Sequence, residues 1–294
     1  MSSFDPILVP LDGSAAAARG LGCAIWLADV LGATLHVLSA GHPWLPPREE
    51  LRRLRVPQKQ WPRILLHQAD TFPEQAVLDA VERYEVRLIV MAARGMGADR
   101  QEQEGDGAPV GHVTVSVIES TDVPVLVLPH AYRDRLPWKT ALVPISGEPQ
   151  ADEALAVAVR LGNELDLALT VVHVVGVRDD GAGLLAETRY ADAAHHEYPT
   201  RLDRLVERAL AGSGRREARC IRDVVLGRGD VASTLLEAIE ERKAGVIVIG
   251  WHARLFAGHA QVLKALLRGM SCPALLVRAS PAPPFELKVG VKLV

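Results

Sequence analysis

The sequence predicts an α/β protein of two tandem doubly wound domains, each with a mainly parallel sheet of about five strands. Three observations carry this. The chain has 294 residues, which at about 150 residues per domain suggests two domains. The run Ile7-Leu8-Val9-Pro10-Leu11-Asp12-Gly13 recurs as Ala141-Leu142-Val143-Pro144-Ile145-Ser146-Gly147, and a repeat near half the chain marks duplicated domains, not a solenoid of short units. Short, continuous apolar runs alternate with helical stretches, the pattern of parallel strands covered on both faces.

In the first half, a buried strand at 7–11 runs into a turn and then a helix over 14–31, with Ser14 as its N-cap. A strand at 34–38 follows, then a helix at 73–84, a strand at 86–91, a helix at 111–120 and a strand at 123–128. The second half repeats the order: strand 141–145, helix 148–161, strand 169–175, helix 231–242, strand 244–249, helix 260–269 and strand 272–277. The polar, Pro-flanked stretch 129–137 places the boundary between domains 1–136 and 137–294.

The halves differ in their insertions. The first carries an acidic insert at 98–107. The second has a long stretch from Arg178 to Arg222, in which Leu202, Leu205, Val206, Ala209 and Leu210 share one helical face. Gly227-Arg228-Gly229-Asp230-Val231-Ala232 follows a strand at 224–226 and opens a helix. It reads as a tight turn capped by Asp230, because the acid a dinucleotide fingerprint needs about 20 residues later is missing. After a Pro-rich break at 281–284, residues 285–294 alternate with period two and are expected to form a strand added to a sheet edge.

Composition excludes several classes. Apolar residues make up 49% but aromatics only 4%, so the core is aliphatic. Net charge is -3 and the pI about 6.4, which leaves no global basic field for nucleic acid. The stretch Arg48, Arg52, Arg53, Arg55, Lys59 and Arg63 reads as a solvated helix and loop. Three cysteines without a C-x-x-C suit a reducing compartment and argue against zinc or a disulfide framework. With no basic and apolar leader and no membrane-length apolar run, the expected location is cytoplasmic, without a membrane partner. His195, His196 and Glu197 point three ways on a helix, and nothing completes a site with His252 and His259, so no metal is expected. His36 and His173 read as satisfied core histidines. No G-x-S-x-G or G-x-x-x-x-G-K-[ST] occurs, and no catalytic residue is expected.

The sequence resembles the universal stress protein family in its tandem form. The resemblance rests on Ile7 to Ser14, on Leu88-Ile89-Val90-Met91-Ala92-Ala93-Arg94-Gly95, on Val110-Gly111-His112-Val113-Thr114, and on the closing runs Asp122 to Val127 and Ser271 to Val277. ATP-binding members carry Gly-x-x-Gly, about nine residues, then Gly followed by Ser or Thr. Glycines after a parallel strand let backbone amides approach phosphates, and a helix N-terminus favours anions. The resemblance implies a nucleotide site in the first half at Pro10, Asp12, Gly95, Gly111, His112, Val113 and Thr114. Asp12 would take the base or ribose, and the amides around Gly95 and Gly111 the phosphates.

This sequence departs from that pattern. Ala92 replaces the first glycine, His112 stands at the hydroxyl position, and 15 residues lie between Gly95 and Gly111. In the second half Ser146 replaces the aspartate, and Ala253, Ala260 and Gln261 replace the later glycines and hydroxyl. The expectation is ATP or AMP as a regulatory ligand of the first half and no ligand of this kind in the second. The alternatives are a ligand-free scaffold presenting 178–222 to a protein partner, and a slow ATP-hydrolysing enzyme. The resemblance also implies that 123–128 and 272–277 meet about a pseudo-two-fold axis. The chain is then either a monomer with an internal pseudo-dimer or a homodimer through its tail.

Overall fold

The computed structural model describes residues 2–95, 110–132, 134–146, 149–175, 217–251 and 260–278. The first half runs β1 (Ile7–Pro10), α1 (Ala15–Leu31), β2 (Leu35–Ala40), α2 (Pro47–Arg53), a 3-10 turn (Gln58–Arg63), β3 (Ile64–Ala69), α3 (Pro73–Arg83), β4 (Leu88–Ala92), α4 (His112–Ser120) and β5 (Val125–Leu128). The second runs β6 (Thr140–Pro144), α5 (Pro149–Leu165), β7 (Ala168–Val175), β8 (Ile221–Arg228), α6 (Val231–Glu241), β9 (Val246–Trp251), α7 (Gln261–Gly269) and β10 (Ala274–Arg278).

All ten strands form one sheet in the order β3-β2-β1-β4-β5-β10-β9-β6-β7-β8. The second half reverses the first, and the turning point is the single antiparallel pair, β5 with β10, where Leu126 faces Leu275. The expected meeting of the two closing strands about a pseudo-two-fold is therefore observed. Each half is doubly wound, because its first strand leads outward in one direction and its fourth in the other.

The sheet is buried because its strands are apolar on both faces. Ile7 and Val9 project to one side and Leu8 to the other, and all three are fully buried. Burying each such side chain contributes about 1.5–3 kcal/mol. Helices α1 and α5 cover one face, with Leu21, Leu27 and Leu155 in its core. Helices α3, α4, α6 and α7 cover the other, with Val77, Val117, Leu235 and Leu266. The halves are also joined by Trp26 of α1 meeting Trp138 edge-on, centroids 4.8 Å apart. Trp138 lies so close over Gly245 that a Cβ there would fall 2.7 Å from its ring.

The sequence reading places no strand at Ile64–Ala69, yet β3 pairs along β2 from Leu35↔Ile64 to Ala40↔Ala69, and it places a strand only at 224–226 where β8 runs Ile221–Arg228. Strand β3 is an edge strand, buried only at Ile64, and its His67 and Gln68 break the apolar run that marks the inner strands. Ser14 caps α1 by accepting from the Ala17 amide at 3.1 Å, and Asp230 caps α6 by accepting from the Ser233 amide at 2.9 Å. Both caps agree with the sequence reading. The insert at 98–107, most of 178–222, the pairs His195/His196 and His252/His259, and the tail at 285–294 lie outside the described residues.

Candidate functional site

In the order β3-β2-β1-β4-β5, the chain changes direction between β1 and β4, and ligands of open α/β sheets sit beyond the strand C-termini at such a point. A cleft of about 1390 Å³ opens there. All seven residues named from sequence line it: Pro10, Asp12, Gly95, Gly111, His112, Val113 and Thr114.

Asp12 leaves β1 just past Pro10, and one of its carboxylate oxygens accepts from the Ser14 amide at 2.8 Å. The turn continues through Gly13 with φ +86°, where a Cβ would meet the Arg53 carbonyl at 3.0 Å. The Arg53 guanidinium stands close enough for the Asp12 charge to favour its protonated form. Arg53 is itself fixed by Glu50 at 2.6 Å and Ser39 at 2.7 Å. The Arg53 hydrogen bond holds the Glu50 carboxyl below its ordinary range. Asp12 thus faces the cleft with a cation behind it. Gly95 closes against the same carboxylate, since a Cβ there would sit 2.3 Å from Asp12 Oδ2. No other residue type fits without moving Asp12.

Opposite lies the N-terminus of α4. Gly111 precedes the helix in an extended conformation and no side chain caps it. The amides of His112 and Val113, at the first two helical positions, have no acceptor one turn back, and the helix end carries partial positive charge. Two details correct the sequence reading. The Gly111 amide donates to the Ala93 carbonyl at 2.7 Å, so the open amides begin one residue later. Thr114 is buried and its hydroxyl donates to the Ala92 carbonyl at 3.0 Å, so it fastens α4 to β4 instead of pointing a donor outward.

The far end of the cleft is formed by Gly41, His42, Asp70 and Phe72, from the loops after β2 and β3. Phe72 is 77% exposed. The sequence reading did not single it out, and its only signal is an aromatic residue directly before a helix-starting Pro73. Lys264 of α7 also lines the cleft. Among the described residues, no group of three potential metal ligands occurs, and no helix is long and apolar enough to cross a membrane.

A model of the universal stress protein family matches residues 137–278. The chain also superposes on a functionally unknown protein of Pseudomonas aeruginosa PAO1, with a TM-score of 0.64 and 15% identity, over 94% of this chain and 93% of that one. A universal stress protein of Archaeoglobus fulgidus DSM 4304 gives a TM-score of 0.57 and 18% identity, over 95% of this chain and 97% of that one. Both superpositions span the two halves. Residues 137–278 thus carry a universal stress protein domain, and the whole chain shares the fold of these proteins. No curated protein matches the sequence.

Within this chain, the second half is built differently from the first at the equivalent place. Ser146 follows β6 where Asp12 follows β1. Ala260, at the position of Gly111, takes a left-handed conformation with φ 57°, which is strained for a residue with a Cβ. Trp251 ends β9 as a buried member of the α6/α7 core.

Proposed function

We propose that the first-half cleft, within residues 1–136, binds an adenine nucleotide, ATP or AMP, as a regulatory ligand, and that the second half binds none. The observation that carries this is the convergence, in one cleft at the switch point, of a held carboxylate, a glycine whose Cβ would displace that carboxylate, and an uncapped helix N-terminus. A carboxylate accepts from ribose or base, and open amides at a helix start donate to phosphate oxygens. The Phe72 ring offers a stacking face for the base at the opposite end, an interaction of about 1–3 kcal/mol per base in nucleic-acid complexes. The residues present therefore fit the ligand.

The competing reading is a ligand-free interaction scaffold. Ala92 at the first glycine position and His112 at the hydroxyl position favour it. Native mass spectrometry of protein purified without added nucleotide separates the two, because only the first leaves adenine nucleotide on the chain. Equilibrium dialysis with ATP then tests the site itself. Asp12→Ala is expected to weaken ATP about tenfold to a hundredfold, the effect of losing a charged acceptor worth about 1.5–3 kcal/mol. Unchanged affinity in the folded variant would rule the site out.

A further inference from the structure

Among the described residues, the first-half cleft contains one wall residue that the first half does not supply. Lys264, on α7, lines it beside Val115 of α4. The sheet explains how it arrives there. Because β5 and β10 pair antiparallel through Leu126 and Leu275, the helices preceding them lie on the same face. Val117 and Ile118 of α4 share a core with Leu263, Leu266 and Leu267 of α7. Lys264 and Val115 occupy equivalent places in the duplication, each the same number of residues before its paired leucine. The two-fold symmetry is therefore broken at this position, with an ammonium on one helix and an isopropyl group on the other.

Lys264 is half-buried between Leu263 and the rest of an apolar helix face. Among the described residues it has no hydrogen-bond or ion-pair partner. An ammonium in the wall of a cleft, unpaired among the described residues, attracts a bound anion. It also approaches on the α4 side, where the open amides of His112 and Val113 are, and away from the loops after β2 and β3. The donors at this end are depleted, since the Gly111 amide and the Thr114 hydroxyl are both engaged.

We propose that Lys264 is a phosphate-binding residue for the first-half site, supplied by the second half of the same chain. The inference rests on reading the cleft as a nucleotide site. It gives the second half a function although its own equivalent site has lost the aspartate and the glycine. It also makes nucleotide binding report on the docking of the two halves.

The test uses the full chain with ATP and adenosine, and the variants Lys264→Met and Lys264→Arg. Lys264→Met is expected to weaken ATP at least tenfold and to leave adenosine within twofold of the parent. Lys264→Arg is expected to keep most of the ATP affinity. Thermal melts confirm that both variants fold, which the half-exposed position allows. Equal ATP affinity in Lys264→Met, or an equal loss of adenosine, overturns the role of the lysine while leaving the nucleotide site standing. A parent chain that binds neither ligand overturns both.

Discussion

Asp12 is a side chain held from several sides at the mouth of the cleft. Its carboxylate takes the Ser14 amide, rests against the Cα of Gly95 and has Arg53 behind it, and the cleft still opens beside it. Histidine behaves differently in this chain. His36 Nδ1 lies 2.9 Å from His67 Nε2, and Tyr84 stacks on His67 with centroids 4.1 Å apart. Burial pushes both imidazoles below their ordinary value of 6.5, to about 4 for His67, and each ring's neighbours add to or temper this: Asp5 raises His36, while His36 and Arg83 lower His67. The unfolded chain takes up these protons below about pH 6.5, whereas the folded chain resists protonation to lower pH, at His67 until about 4. Their contribution to stability is therefore complete above pH 6.5 and is lost as the pH falls toward 4. The melting temperature is expected to drop across that window, and His67→Asn is expected to flatten the drop. An identical pH slope in the variant contradicts the assignment.

Elements differ in how plainly the sequence announces them. Helix α1 was legible because Ser14 caps it and Gly32 closes it in the left-handed region with φ 63°. The inner strands were legible because both their faces are buried. Strand β3 was not, because Leu65 is half-exposed and, among the described residues, β2 alone pairs with it. The site divides in the same way. Pro10, Asp12, Gly95 and Gly111 follow strands at fixed offsets, so the motif reveals them. Phe72 looks like an ordinary turn residue until the β3 loop is seen beside the cleft. Lys264 is invisible from sequence, since it acts far along the chain from the site it lines. What brings it there is the β5–β10 pair, and that pair can be tested as an element. Leu275 is almost fully buried where the halves join. Leu275→Ala is expected to lower unfolding stability by about 2–5 kcal/mol, through lost burial and the cavity left behind. Denaturant melts check this, and a loss under 1 kcal/mol would mean the junction repacks freely.

At the scale of the whole molecule, duplication has produced one continuous sheet from two copies of a fold, and divergence has made the copies unequal. The first keeps Asp12, Gly95 and Gly111. The second has Ser146 and a strained Ala260 in the equivalent places and contributes Lys264 across the junction. Joining β5 to β10 hides two edges that would otherwise invite association, and it fixes α7 beside α4. We propose a pseudo-symmetric scaffold with a single, asymmetric site. The stoichiometry of ATP binding to the intact chain, measured by isothermal titration calorimetry, tests this most directly. One ATP per chain is expected, with binding weakened in Asp12→Ala and unaffected by Ser146→Ala. Two sites per chain, or a single site that survives Asp12→Ala and is lost in Ser146→Ala, would contradict it.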